Sequence, residues 1–159
     1  MDLNALPNPK LEEVFKLEAG LNKPIVVGQD TKHGRRQLIV VPGGGVVCGR
    51  INGKLMEGGV DSQIIRPDGF VDLSARYGIE LDTGETVYIQ NDGIRRVDPA
   101  FAAEVAAGNI VDPKYIYFAT VPKFEVYSEN LRWMEQSIFI CSAVRLPDKV
   151  ILRYFEVVY

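Results

Sequence analysis

The 159-residue chain has one histidine, His33, two cysteines, Cys48 and Cys141, and one tryptophan. Zinc sites and nucleophile–base pairs usually draw on several His and Cys side chains, so this shortage leaves them little to be built from. The two cysteines lie far apart and outside any C-x-x-C pair, which predicts free thiols in a reduced, cytoplasmic protein. Neither a metal nor an organic cofactor is expected. The formal net charge is −3. Lys and Arg are scattered, and the longest basic run, Lys32-His33-Gly34-Arg35-Arg36, is broken by glycine, so nucleic acid is not an expected partner. Nor is a membrane, because no apolar run approaches the roughly 18 residues that a spanning helix needs. The opening nonapeptide carries an acidic residue and two prolines where a signal peptide needs a basic end and an apolar stretch. It predicts a flexible arm over residues 1–10, followed by a single β-barrel domain over 11–159.

Turn signals, by contrast, are frequent. Asn52-Gly53, Pro67-Asp68-Gly69, Asp82-Thr83-Gly84, Asn91-Asp92-Gly93 and Pro147-Asp148 each supply a positive-φ residue or a preset turn. The runs between them read as strands near 12–19, 35–41, 46–51, 60–66, 70–81, 85–91, 114–121, 136–145 and 149–158. In the longest, Leu73, Ala75, Tyr77, Ile79 and Leu81 share one face, and Asp72, Ser74, Arg76 and Glu80 share the other. Two short helical pieces are expected, one capped by Asp98-Pro99 and one by Ser128. Because these helices do not alternate with the strands, a doubly wound parallel sheet is disfavoured. The fold class is mainly β: a closed antiparallel barrel of about eight to ten strands, with a sandwich as the alternative. Val150, Leu152, Tyr154 and Val158 share a face of the last strand, which suggests packing against a second copy as a homo-oligomer.

Familiar motifs fail on inspection. Gly44 and Gly49 have phosphate-loop spacing, but Arg50 and Ile51 stand where Lys and Ser or Thr are required, and strand surrounds them. His33 lies in a polar loop, the usual place for a solvated imidazole. Cys48 and Cys141 sit in apolar strands, where inert thiols are the rule. More informative is Asp61, which follows Gly58-Gly59-Val60 and opens a strand; the glycine step permits a close backbone approach that would aim the carboxylate inward. Asp61, Arg76 and Tyr77 are the candidate catalytic residues, and Arg35, Asn91, Arg95 and Tyr117 the candidate substrate-binding residues. A carboxylate could move a proton while Arg steadies an enolate. Alternation equally allows Asp72, Ser74, Arg76 and Glu80 to form a solvated outer face.

Taken in order, Gly34-Arg35, Gly58-Gly59-Val60-Asp61, Arg66-Pro67-Asp68-Gly69, Ala75-Arg76-Tyr77, Asn91-Asp92-Gly93-Ile94-Arg95, the segment from Tyr117 to Glu125 and the segment from Arg145 to Val150 resemble the family known as domain of unknown function 3237. The resemblance implies a compact barrel with a central pocket, similar in architecture to the allene oxide cyclase and dirigent barrels. Those proteins cyclise substrates or steer coupling, often with neither metal nor organic cofactor. The sequence departs from the family pattern at Ser62 and Ala119, which implies an altered cavity if those side chains line it. Two functions remain open. One is an isomerase, tautomerase, cyclase or lyase acting on a small oxygenated or aromatic metabolite. The other is a non-catalytic small-molecule carrier or sensing subunit. Polar residues within the strands of a small acidic barrel, Asp61 among them, favour the enzyme.

Overall fold

The computed structural model describes residues 5–159. Its strands, in chain order, are β1 (Lys10–Gly20), β2 (Ile25–Thr31), β3 (Gly34–Val41), β4 (Val46–Gly49), β5 (Gly53–Leu55), β6 (Gly59–Ile65), β7 (Val71–Leu81), β8 (Thr86–Val97), β9 (Ile116–Val126), β10 (Phe139–Arg145) and β11 (Lys149–Val158). Two short helices, α1 (Ala102–Ala106) and α2 (Trp133–Gln136), interrupt them. All pairings are antiparallel, and hydrogen bonding runs β7-β5-β4-β1-β11-β10-β9-β8 before returning to β7. This closes an eight-stranded barrel, and closure removes the exposed edges of its wall.

The other three strands branch from β7. Its second half, Ile79–Leu81, pairs with β5, whereas its first half pairs with β6, followed outward by β3 and β2. Along β3 the inward positions Gln37, Ile39 and Val41 are buried. Opposite them on β6, Gln63 pairs with Gln37 and Asp61 with Ile39. The extension therefore delivers polar side chains to the inside of one end of the barrel.

The other end is filled. Phe15 stacks on Tyr154 with ring centroids 4.2 Å apart, and Phe124 meets Phe139 edge-on at 5.0 Å. Val14 and Phe15 are both buried because a bulge in β1 shifts the register between Glu13 and Phe15. Leu131 and Met134 complete this floor from the segment around α2.

Four sequence expectations change. Asn91-Asp92-Gly93 is not a turn: it runs through the middle of β8, with Gly93 opposite Leu73 and Thr120. The strand expected to end at Val121 continues through Pro122 to Val126. This is tolerated because β10 pairs with β9 only at Ala119 and Thr120, so Pro122 faces an edge with no ladder bond to lose. Strands β2 and β5 were not anticipated; β2 lacks alternating burial and β5 has only three residues. Leu152 and Tyr154 point into the barrel core, so the face of β11 expected to meet a second copy is interior. The arm expected over 1–10 lies partly outside the described residues; residues 5–9 form no strand, and β1 begins at Lys10.

Candidate active site in the barrel interior

Among the described residues, Asp61 is the acidic side chain that lines the interior spaces. Its orientation follows from local geometry. Gly58 adopts φ +97, and a Cβ on Gly59 would lie 2.8 Å from Cβ of Tyr77, so the glycine pair lets β6 press against β7. Two residues on, the carboxylate shares the inward face with Gln63. Gln63 Nε2 donates to Asp61 Oδ2 at 2.6 Å, and the Ser74 backbone N–H donates to Oδ1 at 3.2 Å. Gln37 Nε2 in turn donates to Gln63 Oε1 at 2.8 Å, which fixes the orientation of the amide holding Asp61. Burial raises the Asp61 pKa and outweighs the opposing pull of these two donors and of the Arg145 and Arg95 charges.

Deeper in the barrel lies a second polar layer. The Tyr77 and Tyr154 hydroxyls are hydrogen-bonded to each other, and Asn91 Nδ2 donates to the Tyr77 oxygen at 3.2 Å. Burial pushes both phenols above their ordinary pKa, so they hold their protons at neutral pH. Burial pushes Cys141, opposite Thr120, up to about 12, which keeps its thiol neutral at neutral pH. Among the described residues, Asn91 Oδ1 and Thr120 Oγ1 are buried without a hydrogen-bond partner. Groups of this kind are rare in folded proteins unless water or a ligand completes them.

Towards the mouth, the interior is cationic. Arg95 on β8 and Arg145 on β10 line a throat of about 40 Å3 that also includes Asp61 and Gln63. Below it, an inner chamber of about 60 Å3 holds Asp61, Tyr77, Asn91 and Thr120 among aliphatic walls. Above it, a vestibule of about 490 Å3 contains Arg35, Arg95 and Arg145, with α1 supplying Val105 and Ala106 to its rim. The vestibule is within the range of roughly 300–1,000 Å3 usual for small-molecule sites, whereas the inner chamber suits a few waters or the tip of a ligand. Burial and the neighbouring Arg145 charge lower the Arg95 pKa to about 10, against the pull of Asp61, so Arg95 stays cationic at neutral pH.

Asp61, Tyr77, Asn91, Arg35 and Arg95 thus occupy one connected interior, and two other candidates do not. Arg76 belongs to the outer face of β7, where it forms a two-pronged ion pair with Asp92 at 2.7 and 3.1 Å. Tyr117 is also outside, 52% exposed beneath the Arg96 guanidinium, and its neighbour Phe118 faces inward instead. The period-two geometry of a strand excludes both from the cavity. Since side-chain exposure across the Arg76–Asp92 pair is 34% and 55%, Arg76→Ala is expected to change stability by less than about 1 kcal/mol, as measured by denaturant unfolding. Sequence reasoning missed Arg145, Gln37, Gln63 and Thr120. Extending the inward alternation from Arg35 along β3, and from Cys141 along β10, would have found Gln37 and Arg145.

The family model described as "Protein of unknown function (DUF3237)" matches residues 9–157. The chain belongs to the DUF3237 family. A UPF0311 protein of Clostridium acetobutylicum is 46% identical over 99% of both chains, and one of Bradyrhizobium diazoefficiens is 38% identical over 95% of this chain and 98% of its own. Among solved structures, a protein of unknown function from Clostridium acetobutylicum superposes with TM-score 0.88 at 47% identity, covering 96% of this chain and 99% of its own. A β-barrel-like protein from Acinetobacter baumannii gives 0.84 at 30% identity over 96% and 98%. An enzyme from Penicillium herquei shares the fold at TM-score 0.71 and 16% identity, over 98% of this chain and all of its own. The side chains of Ser62 and Ala119, expected to alter the cavity if they lined it, lie outside it. Ser62 accepts from Arg36 Nη1, and Ala119 pairs with Ile94 and Ser142.

Proposed function

We propose that this DUF3237 protein is an acid–base enzyme, an isomerase, tautomerase, cyclase or lyase, acting without a cofactor on a small oxygenated metabolite in the barrel. The observation that carries the reading is the largely buried Asp61 carboxylate, with its pKa raised, in a chamber that also holds the unpartnered Asn91 Oδ1 and Thr120 Oγ1. In its ionised form Asp61 removes a proton next to a carbonyl, and in its protonated form returns one. Arg95 stabilises the negative charge that develops on the carbonyl oxygen. Tyr77, locked by Tyr154 and Asn91, positions Asn91 for the ligand. Catalysis also occurs on this fold in the Penicillium herquei enzyme, a likeness of architecture that carries no residue roles.

A carrier would need only the aliphatic walls, and a buried carboxylate would weaken rather than help such a site. The two readings separate in heavy water. When the protein is incubated with a small-metabolite extract in deuterated buffer, mass spectrometry is expected to find at least one compound labelled far above the protein-free control. An extract labelled no faster than the control contradicts the enzyme reading and favours carriage.

A further inference from the structure

Charge in the upper barrel does not balance. Arg35, Arg95 and Arg145 face the vestibule, Arg95 and Arg145 also face the throat, and among the described residues the one acidic side chain lining these two spaces is Asp61. Among the described residues, none of the three arginines forms an ion pair; the nine that exist use other side chains. Nε of Arg35 and Nε of Arg95 are buried and lack any hydrogen-bond partner. Crowding three largely buried cations around a single carboxylate is unfavourable, and a protein that needed only stability would place apolar residues here. The Arg95 pKa, held down to about 10 by burial and by Arg145, reflects the same tension.

We propose that the throat is a carboxylate-binding subsite: the ligand is a small organic acid whose carboxylate lies between Arg95 and Arg145, with its reacting carbon directed at Asp61. The second half of this statement rests on the acid–base reading; the first does not. A guanidinium presents a planar fork that matches a carboxylate in two-pronged fashion. A monoanion also suits the position better than a phosphate, because a second negative charge would be repelled by Asp61 in the same throat. The vestibule, with its mixed lining of Val97, Ile116 and Val105 around the arginines, has room for the rest of the molecule.

Calorimetric titration with benzoate, benzamide and phenyl phosphate compares three head groups on one ring. Benzoate is expected to bind at least about tenfold more tightly than either analogue, and Arg95→Gln or Arg145→Gln to weaken it by about 30-fold or more. Arg76→Gln, on the outer face, leaves binding unchanged. Without ligand, the same two variants are expected to raise Tm by about 2–4 °C, because each relieves repulsion among cations that outnumber the Asp61 carboxylate; side chains that merely supported the fold would lower it. Equal binding of benzoate and benzamide, or binding of neither, overturns the subsite whatever the Tm. Tighter binding of phenyl phosphate overturns the carboxylate in favour of a phosphate. The two readings fail separately: benzoate preference in a protein that labels no metabolite removes only the enzyme, and labelling without benzoate preference removes only the carboxylate.

Discussion

Asp61→Asn is expected to slow solvent-deuterium labelling by about two to four orders of magnitude, the contribution typical of a positioned acid–base group. Asparagine has nearly the same shape and keeps an oxygen to accept from Gln63 or from the Ser74 N–H, but it lacks a lone pair basic enough to take a proton. The wild-type rate should climb with pH along a limb lying above the ordinary carboxylate value of 3.8, because the base must be ionised and burial raises its pKa. The variant should lack that limb. Stability carries a matching signature. A raised pKa in the folded state means that the folded chain holds a proton the unfolded chain has already released, so wild type loses stability as pH rises from 3.8 through the folded-state value. Asn at 61 does not titrate, so the stability of wild type relative to the variant should fall over that window. Equal labelling by both proteins contradicts the role of Asp61.

Gly93→Val is expected to destabilise the protein by about 3 kcal/mol, at the upper end for overpacking, and to lower Tm by roughly 6–12 °C. A Cβ at Gly93 would lie 2.3 Å from the Ala119 carbonyl oxygen and 2.5 Å from Cα of Thr120. Both belong to the paired strand β9, so relief requires β8 and β9 to separate. Asn91 and Arg95 flank Gly93 on the same strand, and the separation would disturb both. Gly93→Asn distinguishes this close approach from a hairpin turn. Asparagine is well tolerated in turns, but in the middle of β8 it should be about as damaging as valine. Thermal unfolding in which the Asn variant matches wild type would contradict the strand assignment.

The same glycine shows how far the sequence could be read. Apolar alternation along Val71–Leu81 is strong enough to identify its inward face, and the Gly58-Gly59 step points to an inward Asp61; that its neighbour is β7 comes from the structure. Asn91-Asp92-Gly93 carries turn chemistry, yet its glycine serves the contact between β8 and β9, a long-range fact absent from local sequence. Arg76 and Arg95 look alike as residues within strand-forming runs. Alternation already puts Arg76 on the face of β7 opposite Tyr77; the register between β7 and β8 adds that it meets Asp92 there, while Arg95 lies inside. Gln37 and Gln63 are individually unremarkable amides, and their role as the support of Asp61 emerges only when β3 pairs with β6.

The shortage of histidine and cysteine then acquires a positive meaning. His33 lies exposed in the turn between β2 and β3, and Cys141 is buried as a neutral thiol. The interior is equipped instead with a carboxylate, two tyrosines, amides and arginines. Their arrangement is graded along the barrel axis, from the aromatic floor through the Tyr77 layer to Asp61 and then the arginines. A ligand entering from the vestibule meets positive charge first and the carboxylate next.

The most direct test of this account is the titration of Asp61 itself, followed through its side-chain carboxyl carbon by NMR. A pKa above 3.8 is expected, rising further in Arg145→Gln because that variant removes a positive charge that favours the carboxylate. A value at or below 3.8, unmoved by the loss of Arg145, would contradict a buried carboxylate poised for proton transfer beside that arginine.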